Sequence, residues 1–126
     1  RILLKNRIGD FLKIDSAGIK PMVAAGMDPR SVEFLKKNNL HYEIHNPKKI
    51  DKNILNSSDL IFAMDTTILM YLNRLSKKHM YKIKLFTFQH KNLRIADPFN
   101  FPEEDYNTVM EDINFVINNL DLTGLV

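Results

Sequence analysis

Residues 58–65 of the chain read Ser-Asp-Leu-Ile-Phe-Ala-Met-Asp, with a nearly continuous apolar run over 59–64 that ends at Asp65. A run of this length and composition predicts a buried strand. Residues 11–14 and 82–88 also have the short apolar or alternating patterns that indicate strands. Since helical patterns lie between and after these segments, the sequence predicts an α/β domain whose parallel sheet is covered by helices on both faces.

The helical segments have recognisable ends. The Asp-Pro pair at 28–29 predicts an N-cap followed by proline at the first helical position, with the helix ending near Asn38. A second helix, capped by Thr66 or Thr67, is predicted to run through Leu75. A last helix begins at Pro102 with acidic residues in its first turn. Its apolar stripe comprises Tyr106, Val109, Met110, Ile113, Ile117 and Leu120. Residues 2–4 resemble the end of another helix.

Composition limits the classes of protein to which the chain can belong. Its 126 residues carry 18 Lys and Arg against 15 Asp and Glu, a formal charge of 18 − 15 = +3, and its length predicts a single domain over 1–126. Cysteine is absent, which excludes disulfides and thiolate metal sites within these residues. The chain has no apolar stretch of the roughly 20 residues that span a bilayer, and its lysines are scattered. We therefore expect a cytoplasmic protein that binds neither membrane nor nucleic acid.

Polar residues follow each predicted strand. Asp15 and Ser16 come after the first strand, Asp65 after the second, and Asp97-Pro98 lies in the loop after the third. Because ligands bind beyond the carboxyl ends of parallel strands, these residues form a candidate site. For each aspartate the alternative is a turn or a helix cap.

A metal site is not expected. His41 and His45 are four residues apart, but Asn39 precedes them and Pro47 follows them, which disfavours the helix that would bring both rings to one zinc ion. No cofactor is predicted.

Several segments together resemble the low-molecular-weight protein tyrosine phosphatases. In chain order these are the D-S-A-G turn at 15–18, the G-M-D-P-R segment at 26–30 with Phe34-Leu35, which is similar to the family's G-x-x-D-P-R helix opening, a weaker match to H-x-A-R-Q-I at 45–50, the strand ending in M-D at 58–65, and the D-P-F loop at 97–99. The resemblance implies that family's three-layer α/β fold, in which helices flank a parallel four-stranded sheet.

The resemblance also indicates which parts of the family's domain are absent from these 126 residues. Members of the family begin with a strand that runs into C-x5-R-S-P, the phosphate-binding loop, and then a helix. Residues 2–4 correspond to the end of that helix. We therefore expect an N-terminally incomplete domain that lacks the first strand, the nucleophilic cysteine and the phosphate-binding arginine. The 126 residues alone are expected to be inactive.

By the same resemblance, Asp97 is the general acid and base of the reaction. Ser16 and His45 correspond to residues that hydrogen-bond the phosphate loop, and Asp65 to the aspartate that orients the loop arginine. The alternatives are an Asp-Pro turn at Asp97, a turn hydroxyl at Ser16, a surface position for His45 and an N-cap at Asp65.

Substrate contacts are less well matched to the family. Met22 stands where members usually place an aromatic wall against the phenol ring, and Phe99 can form another wall. The implied substrates are phosphotyrosine proteins or small aryl phosphates, with phosphate-like or sulfate-like anions bound at the same place. The alternative function is a catalytically inert phosphatase-like module that binds phosphate-bearing or protein partners. Arsenate reductases of this fold depend on additional downstream cysteines, which this chain does not have.

One prediction concerns the gene. We expect the reading frame upstream of Arg1 to encode a cysteine and, six residues later, an arginine, because the rest of the family's site is matched in order. Sequencing the genomic DNA upstream of the Arg1 codon checks this. An open frame without that cysteine would favour the inert binding module.

Overall fold

The computed structural model describes residues 1–20, 26–43 and 46–125. Its helices and strands, in chain order, are α1 (Ile2–Ile8), α2 (Pro29–Lys37), α3 (Lys52–Ser57), β1 (Ile61–Ala63), α4 (Thr66–Leu75), β2 (Ile83–Leu85) and α5 (Glu103–Asn118). Short 3-10 helices occupy Gly9–Phe11 and Lys77–Lys82. None of the helices in the described ranges is both long enough and apolar enough to cross a membrane.

The chain forms two compact units. The first comprises Arg1–Lys49 and Asp97–Asn118, and the second comprises Ile50–Ala96 and Asn119–Val126. Each unit therefore takes residues from two separate parts of the sequence.

The second unit is built on a β-α-β motif. Strand β1 pairs in parallel with β2, with Ile61 opposite Ile83 and Ala63 opposite Leu85, and α4 lies between the two strands in the chain. One hydrophobic cluster of its core comprises Leu55, Ala63, Leu72 and Ile83, all buried. A parallel pair needs a connection of this length because the chain must return to the same end of the sheet before the second strand begins.

Packing of the first unit centres on α5, which contacts both α1 and α2. Leu3 of α1 and Leu35 of α2 are buried, and α5 buries a stripe of residues: Tyr106, Val109, Val116 and Ile117. The predicted stripe of this helix is thus largely confirmed. Two polar contacts tie the elements together: the Arg7 guanidinium donates to the carbonyl of Ile117, and the hydroxyls of Ser31 and Tyr106 hydrogen-bond.

The strand predictions are confirmed for two segments and wrong for the third. The strands within 59–64 and 82–88 form, although each has only three residues. The predicted strand at 11–14 does not form: Phe11 belongs to a 3-10 helix, and the segment after it has no regular secondary structure. Leu12 is extended, with φ −124° and ψ 143°, but the described residues give this segment no neighbouring strand. Without ladder hydrogen bonds an extended segment does not become a strand.

Helix ends follow the capping chemistry, with one correction. Asp28 caps α2 by accepting from the Arg30 amide, as predicted. Helix α4 is capped by Asp65, whose side chain accepts from the Ile68 amide, and not by Thr66 or Thr67. Aspartate is the stronger cap because its carboxylate accepts the amide hydrogen bond, and its negative charge is also stabilised by the positive end of the helix dipole.

Helix α3 was not predicted. Asp51 caps it by accepting from the Ile54 amide at 2.8 Å, and it buries Leu55. Its six residues are too few to show a helical apolar period, so only the Asp51 cap could have indicated it.

Leu72 and Met70 of α4 offer a matched test of the second unit's core. Leu72 is 4% exposed and Met70 is 54% exposed. In the protein expressed from its complete gene, we expect Leu72→Ala to lower the free energy of unfolding by about 2–5 kcal/mol, since it leaves a cavity. Met70→Ala is expected to change it by less than about 0.5 kcal/mol. Urea unfolding followed by circular dichroism measures both, and equal losses would contradict this description of the core.

Candidate active site

The loop that carries Asp97 forms a turn through two internal hydrogen bonds. The Phe99 amide donates to Asp97 Oδ1 at 3.2 Å, and the Phe101 amide donates to the carbonyl of Pro98 at 3.0 Å. An aspartate that accepts from the amide two residues on forms the side-chain turn that this residue type favours. The Asp97 carboxylate is exposed, and Phe99 beside it is 75% exposed. The loop therefore exposes both an acidic group and an aromatic ring to solvent.

Arg30, in the first turn of α2, holds the same loop from outside. Its Nη1 donates to the carbonyl of Phe101 at 2.6 Å, and its Nη2 donates to the carbonyl of Phe99 at 3.0 Å. A guanidinium has N–H groups in a fixed planar arrangement, so two of them can bind two carbonyls of one turn at once.

Arg30 is itself fixed on its other sides. Its Nη2 donates to Asp28 Oδ2 at 2.9 Å and its Nε to Asp28 Oδ1 at 3.2 Å, a two-point ion pair. The guanidinium carbon also lies 4.1 Å from the centre of the Tyr106 ring, within the range of a cation–π contact. The hydrogen bond from Arg30 lowers the pKa of Asp28, and the same bond raises the pKa of Arg30.

Asp15 and Ser16 lie in the first unit, close to Lys48. The Ser16 amide donates to Asp15 Oδ1 at 2.8 Å, and Lys48 Nζ pairs with Asp15 Oδ2. The Gly18 amide donates to the carbonyl of Lys48 at 2.9 Å, and Gly18 and Lys49 form an isolated parallel bridge. The hydrogen bond from Lys48 is the main cause that lowers the pKa of Asp15. This turn is therefore fixed to the segment that precedes α3.

Asp65 belongs to the second unit, where it follows β1 and caps α4. Its Oδ1 accepts from the Ile68 amide at 2.8 Å, and the residue is half-buried. The N-cap alternative for this residue is thus observed. It does not exclude the predicted role, because a carboxylate has a second oxygen that can accept a hydrogen bond from an arginine.

The structure brings two of the predicted site residues into direct contact, Asp97 and Phe99. Ser16 lies in the same unit as these two, and Asp65 lies in the other unit. His45 and Met22 lie outside the described residues, so their predicted roles stay predictions.

In the described part of the chain, no three His, Asp or Glu side chains are grouped so that they could hold a metal ion.

Sequence reasoning did not identify the contribution of Arg30 or Lys48. Both stand in segments that match the family, and the pattern of those segments does not show which neighbouring groups they bind. An arginine two residues after an N-cap aspartate is the signal for the Asp28–Arg30 pair. The carbonyls that Arg30 binds are about 70 residues away, with separations of 69 and 71, and no local pattern reveals them.

Known proteins match the chain over nearly its whole length. The sequence profile of the family described as "low molecular weight phosphotyrosine protein phosphatase" matches residues 1–123. The chain belongs to this family. Since the match extends over all the segments that carry the resemblance, the family recognised from those segments is confirmed.

Individual relatives agree with this assignment. The low molecular weight protein-tyrosine-phosphatase Wzb of Escherichia coli K12 is 26% identical over 106 residues, which cover 84% of this chain and 72% of the relative. The low molecular weight phosphotyrosine protein phosphatase of Schizosaccharomyces pombe is 37% identical over 78 residues, which cover 60% of this chain and 49% of that protein.

A solved structure shows the same fold. The crystal structure of the tyrosine phosphatase Wzb from Escherichia coli K30, in complex with sulphate, superimposes with a TM-score of 0.84. The superposition covers 93% of this chain and 81% of the other, at 24% identity. The α/β fold predicted from the sequence is therefore that of a low molecular weight phosphatase.

The ion pair between Asp15 and Lys48 gives a pH-dependent prediction. Because the pair lowers the pKa of Asp15 in the folded state, its stabilisation is present above the unfolded-state pKa of about 4 and is lost as the pH falls through the folded-state pKa. Since both side chains are more than 40% exposed, at 42% and 47%, we expect Asp15→Asn to cost at most about 1 kcal/mol at pH 7.

Urea unfolding of the full-length protein between pH 7 and pH 2 measures this difference. The difference between wild type and Asp15→Asn should shrink below about pH 4. In a Lys48→Met background, which lacks the partner, Asp15→Asn should show less pH dependence. A difference that grows towards acid pH would contradict the assignment.

Proposed function

We propose that the intact protein is a protein tyrosine phosphatase that hydrolyses phosphotyrosine or other aryl phosphate monoesters through a cysteinyl-phosphate intermediate. The observation that carries the proposal is the Asp97 turn. In a chain of this family, an exposed carboxylate lies beside an exposed aromatic ring in a loop fixed by hydrogen bonds. The nucleophile would be the cysteine of the family's C-x5-R-S-P loop, which these 126 residues do not contain.

In the first step the cysteine thiolate attacks the phosphorus atom. The sulfur–phosphorus bond forms while the bond between phosphorus and the aryl oxygen breaks, and the proton of Asp97 passes to the departing phenolate oxygen to give the free phenol. A phenolate of high pKa is a poor leaving group, so this proton matters most for phosphotyrosine and similar esters.

In the second step Asp97, now a carboxylate, takes a proton from water as the water oxygen attacks phosphorus. The phosphorus–oxygen bond forms and the phosphorus–sulfur bond breaks. Inorganic phosphate and the thiolate are released, and Asp97 is protonated again. No cofactor is needed, because both steps balance with water as the only co-reactant.

The other residues would support the phosphate loop. Ser16 and His45 would hydrogen-bond the loop, and Asp65 would orient its arginine with the carboxylate oxygen that does not cap α4. The half-buried Ser16, in a turn held by Lys48, is suited to this supporting role. Phosphate and sulfate anions would bind at the same place.

The substrate ring would lie against Phe99 and Met22. Phe99 follows Asp97 by two residues, so a phenol ring stacked on Phe99 would keep its oxygen near the proton donor. We place this activity in the cytoplasm.

Asp97→Asn in the protein expressed from its complete gene tests the role of Asp97. Asparagine keeps the oxygen that accepts from the Phe99 amide but cannot donate the proton. We expect kcat/KM for phenyl phosphate to fall by about 100-fold or more. The fall in kcat/KM for 4-nitrophenyl phosphate should be much smaller, because 4-nitrophenolate is a weaker base than phenolate and leaves without being protonated. Inhibition by inorganic phosphate, which measures anion binding, should be unchanged.

Asp105→Asn is the matched control, because it removes the same charge from an exposed position of the same unit. It should leave both rates unchanged. Equal rates for Asp97→Asn and wild type on phenyl phosphate would remove Asp97 from the mechanism. A wild-type full-length protein that binds phosphate but turns over neither ester would instead support the inert binding module.

A further inference from the structure

Asp97 lies in a turn whose own bonds are few and exposed. The bond from the Phe99 amide to Asp97 Oδ1 is exposed to solvent, and Phe99 is 75% exposed. Exposed loops held by such local bonds open easily. An acid that must meet a leaving oxygen within hydrogen-bond distance needs a more firmly held backbone than this turn provides alone.

Arg30 supplies the contacts from outside the turn. Its guanidinium makes four hydrogen bonds, two to the carboxylate of Asp28 and one each to the carbonyls of Phe99 and Phe101. The arginine side chain is only 26% exposed, and it lies over the Tyr106 ring at the start of α5. It therefore connects the N-terminus of α2 with the backbone on the C-terminal side of Asp97.

We propose that Arg30, aligned by Asp28, is a positioning residue that holds the Asp97 turn in the orientation required for proton transfer to the leaving group. The inference rests on the proposed function of Asp97 as the general acid. Arg30 touches neither substrate nor the reacting atoms in this arrangement, since its donors are directed to the carboxylate of Asp28 and to the two backbone carbonyls.

Lysine cannot replace Arg30 in this role. A lysine ammonium is a single point of donation on a flexible stem, and it cannot bind both carboxylate oxygens and both carbonyls in one plane. Arg30→Lys therefore keeps the charge and most of the volume of the side chain but loses the planar arrangement. A displacement of the acid by about 1 Å is enough to lower the rate of a positioned reaction by up to about 100-fold.

The test uses the full-length protein and two esters that differ in leaving group. We expect Arg30→Lys to lower kcat/KM for phenyl phosphate by about 10-fold to 100-fold. The effect on 4-nitrophenyl phosphate should be less than about 3-fold, and inhibition by inorganic phosphate should stay at the wild-type level. A variant that merely reduced the folded fraction would lower both rates by the same factor.

Arg7→Lys is the matched control. Arg7 also donates to a backbone carbonyl associated with α5, that of Ile117, but it makes no contact with the Asp97 turn in the described structure. For Arg7→Lys, the ratio of kcat/KM for phenyl phosphate to kcat/KM for 4-nitrophenyl phosphate should equal the wild-type ratio. Guanidinium chloride at millimolar concentration should partly restore the phenyl phosphate rate of Arg30→Ala and should not affect Arg7→Ala.

Asp28→Asn provides a second variant if Arg30→Lys does not fold. Asparagine remains a good N-cap for α2 but loses the charge that aligns the guanidinium. It should shift the ratio of rates in the same direction as Arg30→Lys, by a smaller factor.

The outcomes separate this inference from the proposed function. A selective loss in Asp97→Asn together with an unchanged ratio in Arg30→Lys and Asp28→Asn would overturn the positioning role alone. An unchanged ratio in Asp97→Asn would overturn the acid assignment and, with it, the role of Arg30. A selective loss in all three variants, with Arg7→Lys unchanged, supports both.

Discussion

The organisation around Asp97 depends on the two-point ion pair between Asp28 and Arg30. An arginine side chain has many rotamers, and ordering it costs up to about 2 kcal/mol of side-chain entropy. Asp28 is already fixed as the N-cap of α2, so it fixes the orientation of the guanidinium at little extra cost. Two of the three remaining N–H groups are then directed at the carbonyls of Phe99 and Phe101. A residue that begins a helix thus determines the conformation of a loop about 70 positions away.

Aspartate caps serve more than one purpose in this chain. Asp28, Asp51 and Asp65 each accept an amide hydrogen bond at the start of a helix. Capping uses only part of the hydrogen-bonding capacity of a carboxylate, because each oxygen has two lone pairs. Asp28 uses the remainder for Arg30, and in the proposed function Asp65 would use it for the phosphate-loop arginine. The structural and the functional interpretation of such a residue are therefore compatible, although sequence reasoning treats them as alternatives.

The sequence predicted the features that depend on local chemistry. Pro29 and the Asp28 cap located α2, and the apolar run before Asp65 located β1, since both signals lie within a few residues. The strand predicted at 11–14 failed because a strand also requires a neighbour, which an apolar pattern cannot supply. Arg30 was missed for a related reason. Its partners come from a distant segment, and only the folded chain shows that this segment returns to α2.

The hydrogen bond within the Asp97 turn also bears on where Asp97 would carry the proton in the proposed mechanism. Oδ1 accepts from the Phe99 amide, and an oxygen engaged in this way keeps its lone pair directed at the N–H group. As the proposed general acid, Asp97 would hold its proton more readily on Oδ2, and rotation of the carboxyl group would break the bond to Phe99. Arg30 holds the carbonyl of the same Phe99, which lies in the peptide group next to the one that donates to Asp97. Backbone position, carboxyl rotation and the site of the proton are thus coupled through one residue. In the proposed mechanism, this coupling would let a guanidinium bound only to Asp28 and to the loop backbone affect the transfer of a single proton.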